Sequence, residues 1–140
     1  MSPLRTIVVG YDDTKPAQRA LERAALFANA FGSRLVVTSV APVSTTAGGR
    51  SIGADPADTA SDSVAELAAA RSYLNEQGIE AEYLEAIGHP GDSLLVAAEE
   101  RGADMIVVGT REPGFAQRLF GGSVSDTVSH RAHCDVLIVH

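Results

Sequence analysis

Five short runs rich in aliphatic and β-branched residues, spaced by helical stretches, constrain this chain more than any other feature. They are Thr6-Ile7-Val8-Val9-Gly10, Leu35 to Val40, Ala81 to Ile87, Met105-Ile106-Val107-Val108-Gly109 and Val136 to Val139. Unbroken apolar runs of this length suit strands buried on both faces. Between the first two, Ala20, Leu21, Ala24, Ala28 and Phe31 form one helical stripe within Pro16 to Phe31, with Thr14 as N-cap and Gly32 as stop. Val64, Leu67, Ala68 and Leu74 mark a second helix that Gly78 closes, Asp92 to Glu100 a third that Gly102 stops, and Ser123 to Arg131 a fourth. Strands alternating with helices in this way require right-handed parallel crossovers. The expected fold is α/β: an open five-stranded parallel sheet with helices on both faces, forming one domain over residues 1–140.

Composition narrows the partners. Only 5% of the residues are aromatic and Trp is absent, so the core must come from Val, Leu, Ile and Ala. The net charge of −7, with no Lys/Arg run, removes the nonspecific attraction that nucleic-acid binding needs. No apolar stretch reaches membrane-spanning length, and Met1 to Arg5 lead straight into the first strand, leaving no space for a signal peptide. The expectation is a cytoplasmic protein with neither nucleic-acid nor membrane partners. The lone Cys134 agrees with a reducing compartment. One connection is long: Ala41 to Asp62 has no periodicity and reads either as a flap over the strand ends or as disordered chain.

Ligands of open α/β sheets bind outside the carboxyl ends of the strands, where the strand order reverses. The loops to inspect are therefore Gly10-Tyr11-Asp12-Asp13-Thr14, Gly88-His89-Pro90-Gly91, and Gly109 to Ser123. The last leaves a strand at Gly109, passes Gly114 and enters a helix through Gly121-Gly122-Ser123-Val124-Ser125. Glycines let backbone N–H groups approach an anion, and a helix start adds free donors, so this connection has the makings of a phosphate seat. The same Gly-Gly-Ser step also suits an ordinary turn and helix cap. No Walker A sequence and no Gly-x-Gly-x-x-Gly after the first strand is present, which excludes P-loop NTPases and dinucleotide dehydrogenases.

The frame Ile7-Val8-Val9-Gly10-Tyr11-Asp12, Gly102-Ala103-Asp104-Met105-Ile106-Val107-Val108-Gly109, Gly122-Ser123-Val124-Ser125 and His133-Cys134-Asp135-Val136-Leu137-Ile138-Val139 resembles the universal stress protein family from end to end. That resemblance implies an adenine-nucleotide α-hydrolase-like sheet of strand order 3-2-1-4-5, a homodimer, and in one branch ATP or another adenine nucleotide in the crevice of the first and fourth strands. Separately, the Asp12-Asp13 pair could hold Mg²⁺ through waters beside a nucleotide. Carried onto this sequence, the family pattern puts Asp12 and Val40 beside the adenosine. It puts Gly109, Gly122 and Ser123 at the phosphates; Val124 and Ser125 follow at the helix start as further binding residues, and Arg111 is a candidate to offset the charge of Glu112 there. The pattern's middle glycine is replaced by Glu112, which precedes Pro113. Asp12 is equally suited to capping the first helix with Asp13 and Thr14. The resemblance implies a dimeric stress-response regulator; the alternative is a scaffold of the same fold without nucleotide.

No residue earns a catalytic role. Ser123, Asp126 and His130 include triad residue types, but they share one short helix and lack a nucleophile elbow. His130 and His133 have no further ligands to complete a metal site, and His89 reads as part of a turn set by Pro90 and Gly91. Cys134 reads as buried packing. The last strand, Val136 to Val139, would be an open edge of the sheet, and pairing it with its own copy would cover it.

Overall fold

Backbone hydrogen bonds join the five runs into one sheet in a computed structural model that describes residues 4–41, 45–47, 50–52, 56–110 and 124–140. In chain order the elements are β1 (Thr6–Gly10), α1 (Lys15–Phe31), β2 (Arg34–Ala41), β3 (Thr45–Ala47), β4 (Arg50–Ile52), α2 (Pro56–Glu76), β5 (Ala81–Ile87), α3 (Pro90–Arg101), β6 (Met105–Gly109), α4 (Val124–Arg131) and β7 (Asp135–Val139). The main sheet runs β5-β2-β1-β6-β7 and every pairing in it is parallel. Counting only its own strands, this is the order 3-2-1-4-5. Among the described residues no helix is long and apolar enough to cross a membrane.

The two faces are separated by the period of the strand. Ile7, Val9, Leu35, Val37 and Val107 pack with Ala20, Leu21, Ala24 of α1 and Leu67, Ala70, Leu74 of α2. Val8, Val36, Ile106 and Val108 turn the other way, onto Leu94, Ala97 and Ala98 of α3 and Val128 of α4. Register explains the agreement: Ile7 lies beside Leu35 and Met105, Val8 beside Val36 and Ile106. Each fully buried Val or Ile contributes roughly 1.5–3 kcal/mol, so a strand covered on both sides repays an unbroken apolar run.

The connection from Ala41 to Asp62 departs from its expected lack of structure. It carries the antiparallel pair β3–β4, and α2 already starts at Pro56. The physical reasons are local. Thr45, Thr46 and Ile52 are β-branched, Gly48-Gly49 is a two-residue hairpin signal in the sequence, and proline favours the first turn of a helix. Strands of three residues are too short to show a period.

Asp104, just before β6, ties the opposite end of the sheet. Its Oδ2 accepts the N–H of Arg5 at 2.9 Å and of Thr6 at 3.0 Å, while its own N–H donates to the Thr6 carbonyl at 2.9 Å. One carboxylate thus fixes the start of β1 against β6. Asp104→Ala should cost roughly 2 kcal/mol of unfolding free energy, read as a lower urea midpoint with an unchanged slope.

Candidate functional site

From β1 the chain steps through β2 to β5, then returns to β6 on the other side of β1, so the strand order reverses between β1 and β6. Both strands end in glycine there. A Cβ on Gly109 would lie 2.5 Å from the backbone C and O of Pro16, in the first turn of α1. A Cβ on Gly10 would lie 2.8 Å from Cδ1 of Leu94 on α3. The missing side chains let α1 and α3 close directly on the strand ends. The glycine expected to admit a phosphate is therefore already required by the packing of α1.

Asp12 sits in the loop that leads into α1. Its Oδ1 accepts the N–H of Thr14 at 3.0 Å and also the Thr14 hydroxyl, and the Thr14 Oγ1 accepts from the N–H of Ala17 at 3.3 Å as the N-cap. The Asp12 carboxylate thus holds the residue that caps the helix. A carboxylate has about four acceptor positions, so this leaves capacity for further donors. Behind the loop, the Tyr11 side chain is buried. Burial pushes its phenol pKa up, and the carboxylates of Asp13, Glu66 and Asp12 add to the effect.

Val40 offers its backbone. Along a parallel strand the N–H and C=O of successive residues turn to opposite neighbours. The Thr38 carbonyl accepts from Tyr11 N–H on the β1 side at 2.9 Å, and the Ala41 carbonyl accepts from Gly88 N–H, just past β5, at 2.9 Å. Val40 therefore directs both groups to the β1 side. Strand β1 has already ended at Gly10, whose register partner is Thr38. The result is a donor and an acceptor side by side, one step beyond the last rung.

At the start of α4, Ser125 is buried and Val124 packs on the α3/α4 core. The helix crosses α3 closely, since a Cβ on Gly91 would come within 2.7 Å of Thr127 Cγ2. Arg111, Gly122 and Ser123, together with Glu112, Pro113, Gly114 and Arg118, lie outside the described residues. Of the expected site residues, Asp12, Val40 and Gly109 thus share the carboxyl end of three adjacent strands, with Val124 and Ser125 at a helix start.

The remaining candidates stand apart. His89 is the N-cap of α3 and makes no side-chain capping bond. His130 Nδ1 lies 2.7 Å from the carbonyl of Asp126, and His133 lies 3.6 Å from a Glu99 carboxylate oxygen. Among the described residues no group of three or more His, Cys, Asp or Glu is placed to hold a metal. Burial, then Asp135 and Asp104, push the Cys134 thiol pKa up, which opposes thiolate formation.

Two polar features near this end belong to no motif in the sequence. Ser39 donates to Glu66 Oε2 at 2.8 Å and stands 3.4 Å from the Ser63 hydroxyl, linking β2 to α2. Thr38, on the opposite face of β2, is 1% exposed. The signal was the adjacent pair Thr38-Ser39 inside an otherwise apolar run.

A parallel sheet reversing at β1 and β6, with a carboxylate loop and a backbone rung that has no partner among the described residues at the reversal, is an open, doubly wound α/β protein of the kind that binds ligands at the reversal. The chain belongs to the universal stress protein family, whose model matches residues 3–140. It is 33% identical over 144 residues to universal stress protein Rv1636 of Mycobacterium tuberculosis, covering 100% of this chain and 99% of that one. A universal stress protein solved in complex with cAMP superposes with a TM-score of 0.76 at 30% identity, covering 99% of both chains. The Archaeoglobus fulgidus universal stress protein in complex with dAMP shares the fold, with a TM-score of 0.71 at 24% identity over 100% of both chains.

Proposed function

We propose that this chain is a single universal-stress-type domain that binds an adenine nucleotide in the β1/β6 crevice and acts as a dimeric regulator in the cytoplasm. The observation that carries the reading is the Val40 rung, turned toward the place where β1 has ended. An adenine edge presents an acceptor, N1, beside a donor, the N6 amino group. A backbone N–H beside a C=O is the complementary pair, and it rejects a base whose donor and acceptor are exchanged. The Asp12 carboxylate, held by Thr14, is a ready acceptor for ribose hydroxyls. Gly109, Arg111, Gly122, Ser123, Val124 and Ser125 would supply the phosphate end through backbone, hydroxyl and guanidinium donors, with Mg²⁺ shielding a triphosphate. A relative of 30% identity solved with cAMP supports the adenine preference.

The test is direct. Protein purified without added nucleotide is denatured and the released small molecules are identified by mass spectrometry, and the intact protein is melted with AMP, cAMP or ATP plus Mg²⁺. A nucleotide at about one hundred times its Kd stabilises by roughly 2.7 kcal/mol, a shift of several degrees. No released nucleotide and no shift with any of the three would leave the scaffold reading, which Glu112 at the pattern's middle glycine favours.

For the dimer, the supporting feature is β7. It is an edge strand of the sheet, and Val136, Leu137 and Ile138 are only half-buried. Pairing it with the same strand of a second copy about a two-fold axis would satisfy its outer backbone groups. Light scattering should return twice the mass of the chain.

A further inference from the structure

Strand β5 forms the edge of the main sheet opposite β7, and among the described residues no strand pairs with its outer side. The Gly88 N–H donates to the Ala41 carbonyl, so at the strand period of two Ala86, Leu84 and Glu82 turn their backbone groups toward β2. The N–H and C=O of Tyr83, Glu85 and Ile87 therefore point outward. A seven-residue strand with these groups open is a template for one more strand.

Beside this edge, a groove of about 510 Å³ lies between β5 and the flank of α3. Leu84, Ala86 and Val96 give it apolar walls; Thr38 turns toward α3 at its base but is 1% exposed, beyond the reach of an occupant. The charges around it are unbalanced. Asp92 pairs with Arg131, and Arg101 is shared between Glu82 at 2.7 Å and Glu100 at 3.4 Å. Glu85 is exposed and makes no ion pair among the described residues. The lining thus sets three carboxylates, on Glu85, Asp92 and Glu100, against the one guanidinium of Arg101, with His89 at the loop end. A second copy on this edge would bring Glu82 and Glu85 of both chains to one seam, and like charges across a strand pair destabilise it. A segment bearing Lys or Arg meets attraction at the same place.

We propose that the β5 edge is a docking site for a partner protein, which adds an extended segment of alternating aliphatic and Lys or Arg residues as a sixth strand of the main sheet. Its backbone bonds the outward groups of Tyr83, Glu85 and Ile87. Its aliphatic side chains enter the groove beside Leu84, Ala86 and Val96, and its cations lie on the face of Glu85. The site is independent of the nucleotide reading, because it uses neither Asp12 nor the Val40 rung.

The probe is an acetylated, amidated heptapeptide alternating valine with lysine, titrated against the full chain and followed by NMR. Half-saturation is expected at roughly 0.1–1 mM for a peptide of this size. The amides of Tyr83, Glu85 and Ile87 should exchange rapidly in the free chain and about tenfold more slowly at about nine-tenths saturation, because only the free fraction leaves them open. The same peptide with glutamate for lysine should not bind. Glu85→Lys should weaken the lysine peptide by about tenfold while the urea midpoint stays that of the parent, as suits an exposed position. The proposal is overturned if the lysine peptide does not bind, or if it binds and leaves the three amides fast, which marks a contact of charges without strand addition. It is equally overturned if the glutamate peptide binds as well, or if E85K binds the lysine peptide as the parent does. Amides that slow in the free chain as its concentration rises would place a second copy on this edge instead.

Discussion

Gly109→Ala is expected to lower the stability of this protein by about 3 kcal/mol, the upper end of what overpacking costs. The added Cβ would lie 2.5 Å from two backbone atoms of Pro16 and 2.8 Å from its Cβ. Nothing at that point is the free end of a side chain, so relief requires moving the start of α1 itself. That movement carries Thr14 and Asp12 with it, since both are bonded into the same turn. The variant should therefore lose urea resistance and nucleotide affinity together. Gly10→Ala is the internal comparison: its Cβ would meet Leu94 Cδ1 at 2.8 Å, the end of a side chain that can rotate, and should cost nearer 1 kcal/mol. Equal midpoints for G109A and the parent would mean that α1 does not seat on the end of β6.

The second large effect concerns Glu112, where the family pattern has glycine. A carboxylate about 5 Å from a phosphate charge, at an effective dielectric near 20, is repelled by roughly 3 kcal/mol. Removing it in Glu112→Gly should raise ATP affinity by on the order of a hundredfold. The gain should be smaller for AMP and cAMP, which carry less charge at the phosphate end, and it should shrink as salt is added. Calorimetric titration of the three nucleotides against both proteins reads this pattern. An equal gain for all three would point to loop geometry instead of charge, and no gain for ATP would mean that the Glu112 carboxylate exerts no repulsion on the phosphates.

Much of this was legible before any coordinates, for reasons that differ along the chain. The runs at Ile7 to Val9 and Ile106 to Val108 announce themselves because both faces of their strands are buried, so no polar residue interrupts them. The stripe Ala20, Leu21, Ala24 and Ala28 is visible because α1 has one buried side, but Phe31, the fifth member of the pattern, is exposed at the helix end. The hairpin β3–β4 leaves no periodic signal in the sequence, because its two strands have three residues each. In the sequence Asp104 is part of a family motif and nothing more; its purpose depends on Arg5 and Thr6, which lie far away in the chain. At the candidate site, residue identity suggested Asp12, but only geometry shows that Thr14 engages the carboxylate and uses it to hold the helix cap.

By itself the sequence determined the strands of the main sheet, the helices between them, their succession and the family, because periodicity, caps and motif spacing are local properties carried by neighbouring residues. Tertiary structure alone decided which residues meet. Strand order brings Gly109 against Pro16, and register turns Val40's backbone toward a strand that has stopped and Thr38's hydroxyl toward α3. Crossovers can place the next strand on either side of the first, and a register shift of one residue exchanges the faces of a strand. Those choices are made by the packing of the whole chain, and the donor and acceptor beside the crevice exist only once they have been made.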